Sequence, residues 1–272
     1  MKLCLIGNNI EGSLSPQIHE AYNKIMKYTD STYEIVQLMP DELHSFVSQL
    51  REGAYDGCNI TAPFKLDIMQ YLDGLSENTR VVGCANTVRR NGTSLIGYNT
   101  DNSGFGDQLD SDGINVFTKS VSVIGAGGAA RAVVCELSSR GVKQINVYNR
   151  TLDHAKHVAS DFPDIVKAYP IEAFTAKDSD IIINTSSGSN SIATIDGIAP
   201  DKIFIDINYK PEKTEFLNIA EMFGCRVYNG LKMLVFQAIR SEVKWRNLED
   251  YENIQEIAEK IAKELDFPWE QE

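Results

Sequence analysis

One stretch of this sequence limits the possible folds more than any other, and it spans residues 119–151. Its parts follow one another as an apolar segment ending at Ile124, then Gly125, Ala126, Gly127, Gly128 and Ala129, a helical pattern over Ala129–Arg140, and a second apolar run over Ile145–Tyr148. Strand, glycine turn, helix and strand in this order are typical of a dinucleotide-binding βαβ unit. The stretch therefore predicts a Rossmann-type α/β domain.

The small residues of this stretch have separate tasks in such a unit. Gly125 allows a tight turn after the strand, and Gly127 lets the backbone approach a pyrophosphate. The small Ala130 lets the helix pack closely on the strand, and the helix N-terminus presents N–H groups to the anion. A plain turn within an α/β domain is the alternative interpretation of the same glycines.

The residues after the second strand indicate which dinucleotide is bound. An NAD site commonly has an acidic residue there for the ribose hydroxyls, whereas this chain has Asn149, Arg150 and Thr151. A guanidinium and a hydroxyl suit a 2′-phosphate, and no carboxylate repels it. We therefore predict NADP as the cofactor, although Arg150 alone could be a solvated charge at the end of a strand.

Length, charge and composition exclude several classes of protein. The 272 residues suffice for one large or two ordinary domains, and the net charge of −12 argues against a nucleic-acid partner. No apolar run has the length of a membrane span, and Met1–Ile6 is too short and unflanked for a signal peptide. The five scattered cysteines and four histidines lack the spacing of bridges or metal ligands. We expect a cytoplasmic protein with no metal and no membrane partner.

The N-terminal part has its own alternation of strands and helices. Apolar runs at Lys2–Gly7, Tyr33–Leu38 and Gly57–Ile60 are separated by helical patterns, which predicts a small, mostly parallel sheet with helices on its faces. Ser13 and Ser15 precede the first helix. They either cap that helix, with Ser15 as its N-cap, or hold a carboxylate beside its N-terminus.

Polar residues follow the third strand and a predicted hairpin. The segment Asn59–Lys65 stands where open α/β sheets bind ligands. Further on, Asn91-Gly92 lies between the apolar runs 81–88 and 94–98, which predicts a hairpin, and Asn99-Thr100-Asp101 closes it. The small residues of Asn102–Gly106 suggest a hinge into the dinucleotide domain.

Taken in order, the motifs of this chain resemble those of the shikimate dehydrogenase family over nearly its whole length. The motifs are Ser13-Leu14-Ser15-Pro16, Asn59-Ile60-Thr61-Ala62-Pro63-Phe64-Lys65, Ala85-Asn86-Thr87, Asn99-Thr100-Asp101, the glycine turn, Asn149-Arg150-Thr151, Ile183-Asn184-Thr185-Ser186, Asp206-Ile207-Asn208-Tyr209-Lys210-Pro211, and Asn229-Gly230-Leu231-Lys232-Met233-Leu234 leading to Gln237. The resemblance implies NADP-linked interconversion of 3-dehydroshikimate and shikimate, in the biosynthesis of chorismate and the aromatic amino acids.

The resemblance also implies roles for individual residues. Lys65 and Asp101 would form the catalytic pair. The residues that would bind substrate are Ser13, Ser15, Asn59, Thr61, Asn86, Tyr209 and Gln237. The residues that would bind NADP are Gly125, Ala126, Gly127, Gly128, Ala129, Asn149, Arg150, Thr151, Thr185, Ser186, Gly230 and Met233.

The expected division of the chain follows from the same resemblance. An N-terminal α/β substrate-binding domain would comprise residues 1–103 with 232–272, and a Rossmann-type NADP-binding domain would comprise 104–231. The expected partner is a small-molecule substrate, and the chain would be a monomer or a homodimer.

The chemistry of ketone reduction is consistent with these roles. A lysine ammonium can stabilise a developing alkoxide and donate the proton that the oxygen needs, and an adjacent carboxylate can position the lysine. Without the ordered motifs, Lys65 would be interpreted as a surface lysine, Asp101 as a turn residue, and Gln237 as an ordinary polar position of a helix.

Four positions depart from the family pattern. Gly12 stands where a histidine is common, Glu20 where an asparagine is common, and Asn102 where a glycine is common. His154 replaces an arginine that often supports the 2′-phosphate, with Lys156 as the nearest basic substitute.

Two other functions are compatible with these motifs. A quinate/shikimate dehydrogenase with broader substrate and NAD/NADP use would share most of these residues. A non-catalytic NADP-binding sensor on the same fold is the alternative from another class, and the presence of both Lys65 and Asp101 disfavours it.

Overall fold

The computed structural model describes residues 1–186 and 196–269. The chain divides into two compact units, unit 1 (Met1–Ser111 with Leu234–Glu272) and unit 2 (Asp112–Met233). The domain limits expected from the sequence, at residues 104 and 232, fall inside the helices Asp101–Ser111 and Leu231–Arg246.

Helices and strands alternate through most of the described residues. In chain order they are β1 (Lys2–Gly7), α1 (Ser15–Met26), β2 (Thr32–Gln37), α2 (Leu43–Glu52), β3 (Gly57–Ile60), β4 (Gly74–Leu75), α3 (Glu77–Val82), β5 (Thr87–Asn91), β6 (Ser94–Tyr98), α4 (Asp101–Ser111), β7 (Ser120–Ile124), α5 (Gly128–Ser139), β8 (Gln144–Asn149), α6 (Leu152–Asp161), β9 (Val166–Pro170), β10 (Ile181–Asn184), β11 (Ile203–Asp206), α7 (Glu215–Met222), β12 (Arg226–Asn229), α8 (Leu231–Arg246) and α9 (Ile254–Glu264). Short 3-10 turns occur at Pro40–Glu42, Asp67–Tyr71 and Ile171–Ala173.

Unit 1 is built on a mixed sheet with the strand order β2-β1-β3-β5-β6-β4. The first three strands of the chain are parallel, as predicted, whereas β5 runs antiparallel to both β3 and β6. The predicted hairpin is confirmed, because β5 and β6 are joined through Gly92, whose φ of +61° suits glycine.

Two local predictions for unit 1 are wrong. Val81 and Val82 were expected in a strand but lie in α3, because Ser76 accepts a hydrogen bond from the Thr79 N–H at one end and Gly83, with φ of +72°, ends the helix at the other. The expected hinge at Asn102–Gly106 lies within α4. Its Gly104 lets α4 pack closely on α8, because an added Cβ would stand 2.8 Å from the backbone nitrogen of Gln237.

The core of unit 1 consists of two apolar clusters. One joins β1, β3 and β5 to the apolar face of α2, and it contains Cys4 and Ile6 from one face of β1. The other joins α1, α8 and α9. The last helix packs there through Ile257, Ala258 and Ile261.

Unit 2 is built on a parallel sheet with the strand order β12-β11-β10-β7-β8-β9. Its first strand in the chain, β7, lies in the middle, and the order of connection reverses between β7 and β10. Ligands of such doubly wound sheets bind at the carboxyl ends of the strands at this reversal. The predicted fold class, α/β with a Rossmann-type domain, is confirmed. In the described part of the chain, none of the helices combines the length and apolar character that a membrane crossing requires.

Candidate active site

The central feature of unit 1 is a buried lysine–carboxylate pair. Lys65 Nζ lies 2.6 Å from Asp101 Oδ2, and their side chains are only 16% and 8% exposed. Asp101 is the first residue of α4, where a negative charge interacts favourably with the helix dipole. The structure thus brings together the two residues predicted to be catalytic, and it presents an ammonium group whose position is set by a carboxylate.

Asn86 connects this pair to the rest of the polar network. Its Nδ2 lies 2.9 Å from Asp101 Oδ1, 2.8 Å from Thr100 Oγ1 and 3.2 Å from Gln237 Oε1. Its Oδ1 accepts hydrogen bonds from the Thr100 N–H at 2.7 Å and from the Thr87 hydroxyl at 3.1 Å. Both ends of this amide are therefore saturated by protein groups, and the carboxylate of Asp101 is fixed by Lys65 on one oxygen and by Asn86 on the other.

The predicted residue Asn59 lies at a second node of the same network. Its Nδ2 lies 3.0 Å from Thr87 Oγ1 and 3.0 Å from Ser241 Oγ, and its Oδ1 accepts a hydrogen bond from the Tyr33 hydroxyl at 2.8 Å. Ser241 is fully buried and also lies 2.8 Å from Thr87 Oγ1 and 3.0 Å from Thr100 Oγ1. Asn59, Asn86 and Gln237 are thus parts of one continuous set of hydrogen bonds.

Sequence reasoning missed several members of this network. Thr87 and Thr100 lie inside two of the family motifs but were not assigned to the site. Tyr33 and Ser241 were not identified as candidate site residues. The only sequence signal for Ser241 is that it follows Gln237 by four residues, which places both on one face of α8.

The two serines before α1 are in contact with each other. Ser13 Oγ lies 3.1 Å from Ser15 Oγ and accepts a hydrogen bond from the Ser15 N–H at 3.2 Å. Ser15 is buried and is the first residue of α1, so the expectation that it is the N-cap is wrong: Leu14 holds that position and makes no side-chain cap. A helix start without a side-chain cap leaves the hydroxyls of this pair suited to an anion.

Thr61 is partly buried in the turn that follows β3. Its N–H donates to the carbonyl oxygen of Ile6, and its own carbonyl accepts from the N–H of Phe64. These bonds hold the turn between the end of β3 and Lys65, so the position of the lysine follows from the local backbone.

The glycine turn of unit 2 lies between β7 and α5, at the carboxyl end of the central strand. Gly125 is buried with φ of +110°, and an added Cβ would stand 2.5 Å from Thr185 Oγ1. Gly127 is exposed, and a Cβ there would meet no protein atom within 4 Å. Gly125 is therefore required by the protein's own packing, whereas the open space before Gly127 is what the approach of a pyrophosphate requires.

The remaining residues of the turn begin the helix. Ala126 lies in the turn itself, and Gly128 and Ala129 are the first two residues of α5. Gly127 is the N-cap and has no side chain with which to cap the helix, and no acidic residue stands in the first turn. These features fit the phosphates of a dinucleotide.

The segment predicted to select the cofactor lies at the end of β8. Arg150 is exposed and forms no ion pair with any described residue, and Thr151 is the N-cap of α6 but makes no side-chain cap. Asn149 Nδ2 donates to the Thr151 carbonyl at 2.9 Å. His154 is exposed, and Lys156 is hydrogen-bonded to Asp153 at 3.1 Å. A guanidinium and a hydroxyl at this place fit a 2′-phosphate.

A buried carboxylate organises the neighbouring strand ends of unit 2. Asp206 is 1% exposed and accepts hydrogen bonds from Asn184 Nδ2, from the N–H and Nδ2 of Asn208, and from Thr214 Oγ1. Asn184 Oδ1 in turn accepts from Ser186 Oγ at 2.6 Å. These bonds fix the loops that follow β10 and β11.

The other predicted residues of unit 2 lie near these strand ends. Thr185 donates its hydroxyl to the Ile124 carbonyl at 2.8 Å, and Tyr209 is partly buried in the loop after β11. Gly230 is buried so tightly that a Cβ would overlap the carbonyl oxygen of Ile207. Met233 lies in α8 and is 6% exposed.

The fold and these residues define a dinucleotide-dependent α/β protein with a lysine–carboxylate pair in its other unit. Residues 5–88 match the family model described as the shikimate dehydrogenase substrate binding domain, and residues 109–215 match the model described as shikimate / quinate 5-dehydrogenase. A shikimate dehydrogenase (NADP+) from Caldicellulosiruptor saccharolyticus is 40% identical over 259 residues, which cover 90% of this chain and 91% of that relative. The chain belongs to the shikimate dehydrogenase family.

Solved structures agree with this assignment. The shikimate 5-dehydrogenase of Thermus thermophilus in complex with NADP(H) and shikimate is 27% identical, with a TM-score of 0.83, over 97% of this chain and 99% of that one. The shikimate 5-dehydrogenase of Listeria monocytogenes in complex with shikimate and NAD is 29% identical, with a TM-score of 0.83, over 98% of this chain and 96% of that one.

Proposed function

We propose that this protein is an oxidoreductase that catalyses the reversible, NADPH-dependent reduction of 3-dehydroshikimate to shikimate, in the biosynthesis of the aromatic amino acids. Membership of the family supports the reaction. The observation that carries the proposal is the buried contact of 2.6 Å between Lys65 Nζ and Asp101 Oδ2. It provides, in one place, a proton donor and the group that orients it.

NADPH supplies the hydride for the ketone carbon when it is bound. The Lys65 ammonium donates a hydrogen bond to the ketone oxygen, stabilises the negative charge that develops there, and gives up a proton to it. Asp101 holds the ammonium in position through Oδ2, and Asn86 fixes Asp101 Oδ1 at 2.9 Å. In the oxidative direction, neutral Lys65 accepts the proton of the substrate hydroxyl.

The substrate carboxylate is assigned to the hydroxyls of Ser13 and Ser15, with Thr61 and Tyr209 as further contacts. The distance of 3.1 Å between the two hydroxyl oxygens supports this assignment, because it places them side by side, and each hydroxyl can rotate to give its proton to an anion instead of to its neighbour. Asn59, Asn86 and Gln237 are assigned to the ring hydroxyls. Since protein groups already saturate the Asn59 and Asn86 amides, we assign these two residues a second task, which is to keep Asp101 in place.

NADP is assigned to the strand ends of unit 2. Its pyrophosphate would lie at the N-terminus of α5 beside Gly125, Ala126, Gly127, Gly128 and Ala129. Asn149, Arg150 and Thr151 would hold the adenosine end with its 2′-phosphate. Thr185, Ser186, Gly230 and Met233 complete the assigned set.

We assign the substrate-binding domain to residues 1–103 with 232–272 and the NADP-binding domain to 104–231. The matches of the two family models to residues 5–88 and 109–215 support this division. The expected assembly is a monomer or a homodimer in the cytoplasm.

The deciding experiment is an absorbance assay of cofactor reduction by shikimate. NADP and NAD are offered in parallel, and quinate is offered in place of shikimate. We expect reduction of NADP by shikimate alone. Activity with quinate, or equal activity with NAD, would favour the broader quinate/shikimate dehydrogenase. Binding of NADPH without turnover on any pair would replace the enzyme by a non-catalytic NADP-binding sensor.

A further inference from the structure

Tyr33, on β2, lies at the outer end of the polar network of unit 1. Its hydroxyl donates to Asn59 Oδ1 at 2.8 Å, and Asn59 Nδ2 reaches the Asn86 carbonyl at 3.2 Å and Thr87 Oγ1 at 3.0 Å. From Asn86 the network continues to Asp101. One tyrosine hydroxyl is thus connected by side-chain amides to the carboxylate that positions the proposed proton donor.

The Tyr33 hydroxyl and the Asn86 backbone carbonyl together set the orientation of the Asn59 side-chain amide. An asparagine amide has a donor end and an acceptor end, and the groups around Nδ2 include a backbone carbonyl, which can only accept. The Tyr33 hydroxyl is the donor that Oδ1 needs on the opposite side. Without it, the carbonyl oxygen of the buried Asn59 side chain loses its tyrosine donor, and the amide is left with the contacts at Nδ2.

The ring of Tyr33 is itself held by a buried histidine. His19 stacks on it with ring centroids 4.0 Å apart and an angle of 15° between the planes. His19 Nδ1 lies 2.7 Å from Glu242 Oε1, and Glu242 Oε2 accepts from Arg246 Nε at 2.9 Å. His19 Nε2 is buried and has no hydrogen-bond partner among the described residues, so the ring offers Tyr33 its face rather than a second hydrogen bond.

The histidine that stacks on Tyr33 lies on the same helix as Ser15. His19 follows Ser15 by four residues on α1, which places both on one face of the helix. Burial raises the pKa of the Tyr33 phenol well above its ordinary value. The phenol therefore keeps its proton, and with it the bond to Asn59.

We propose that Tyr33 is a positioning residue of the shikimate site, which orients Asn59 through its hydroxyl and is itself fixed by His19. This role rests on the proposed function. The Tyr33 hydroxyl bonds to Asn59, which is assigned to the substrate, so it acts on shikimate affinity more than on the chemical step.

The test is the variant Tyr33→Phe, which removes the hydroxyl and keeps the ring on His19. Tyr22→Phe is the matched control, because the Tyr22 hydroxyl makes a hydrogen bond of 2.7 Å with Tyr251 in the same unit but outside this network. We expect Tyr33→Phe to raise the KM for shikimate about tenfold, with kcat lowered less than about threefold and the KM for NADP unchanged. Tyr22→Phe should lower the melting temperature and leave all three constants unchanged.

Each outcome decides a different point. A KM for shikimate that stays at the wild-type value in Tyr33→Phe, or rises equally in Tyr22→Phe, overturns the role of Tyr33 while the proposed function stands. A wild-type protein that does not reduce NADP with shikimate overturns the proposed function, and the role of Tyr33 with it.

Discussion

The polar network of unit 1 and the glycine turn of unit 2 are constructed in opposite ways. In unit 1 the functional groups are buried side chains that saturate one another, and Asn86, 2% exposed, binds Asp101, Thr100 and Gln237 at once. In unit 2 they are backbone groups, and a side chain added at Gly127 would meet no protein atom within 4 Å. The geometry for proton transfer is therefore set by the protein before any ligand binds, whereas the anion site is a surface that the protein keeps free of side chains.

The difference makes the two regions sensitive to different substitutions. In unit 1, removal of a side chain should lower catalytic activity, because each group holds another in place. In unit 2, adding a side chain should block the ligand, while the fold tolerates the change wherever no protein atom stands in its way.

The largest effect is expected from Lys65→Ala. The variant lacks the ammonium that we propose stabilises and protonates the developing alkoxide, so kcat should fall by about 10² to 10⁴. Binding of NADPH, followed by the fluorescence of the reduced nicotinamide, should stay at the wild-type level, since the cofactor residues lie in unit 2. Lys24→Ala, which removes an exposed lysine paired with Glu264, is the control and should keep full turnover. Near-normal turnover in Lys65→Ala would contradict the assigned role.

The next effect concerns two glycines of one turn. Gly127→Ala should fold normally and lose about tenfold to a hundredfold in affinity for NADPH and NADH alike, because the methyl group occupies the space of the pyrophosphate. Gly125→Ala should instead lower the melting temperature, since its φ of +110° and the contact with Thr185 Oγ1 leave no room for a Cβ. Isothermal titration and thermal denaturation separate the two effects. Equal loss of stability in both variants would mean that Gly127 also serves the fold.

The elements that sequence reasoning predicted best are those with a strong local signal. The apolar runs of β1 and β3 gave the observed bounds, Lys2–Gly7 and Gly57–Ile60, and Asn91-Gly92 marked its hairpin. These depend on burial of neighbouring residues and on turn chemistry, which act over a few positions. The error at Val81 and Val82 has the same origin, because their apolar character was weighed without the capping residues on either side.

The polar network could not be predicted in this way. Ser241 and Thr87 are 154 positions apart, and their contact of 2.8 Å follows from the packing of α8 on the sheet. Tyr33 occupies a half-buried strand position whose sequence pattern indicates only a strand. The ordered motifs named the nodes Asn59, Asn86 and Gln237, but which groups saturate each node depends on tertiary packing.

The third prediction sharpens the description of the cofactor site. Arg150→Ala should weaken NADPH binding about tenfold and leave NADH binding unchanged, because the proposed partner of the exposed guanidinium is the 2′-phosphate, which only NADPH has. Lys156→Ala is the control, since this lysine is hydrogen-bonded to Asp153 and should contribute less. Equal loss for both cofactors in Arg150→Ala would refute the phosphate contact. If Lys156→Ala loses more affinity for NADPH than Arg150→Ala, then Lys156 supplies the basic contact that the family has from an arginine at position 154, where this chain has His154.

The smallest effects are expected when one hydroxyl is removed from each unit. Ser241→Ala should lower the free energy of unfolding by only about 1 kcal/mol, because Asn59 Nδ2 retains Thr87 and the Asn86 carbonyl as acceptors. Thr214→Ala should lower it by about 2 kcal/mol, since the Thr214 hydroxyl both donates to the buried Asp206 at 2.7 Å and caps α7.

Two spectroscopic signals can show in which unit each variant loses free energy of unfolding. The chain has two tryptophans, Trp245 and Trp269, and both belong to unit 1, so their fluorescence reports on the unfolding of that unit, whereas far-UV circular dichroism reports on both. Ser241→Ala should shift the urea midpoint of the fluorescence transition, and Thr214→Ala should shift the dichroism transition by more. If Ser241→Ala lowers the free energy of unfolding more than Thr214→Ala does, the remaining hydrogen bonds of the unit 1 network do not compensate for a lost hydroxyl. Its amides would then depend on every hydroxyl around them, and the network would tolerate the loss of a hydroxyl no better than the buried carboxylate of Asp206 does.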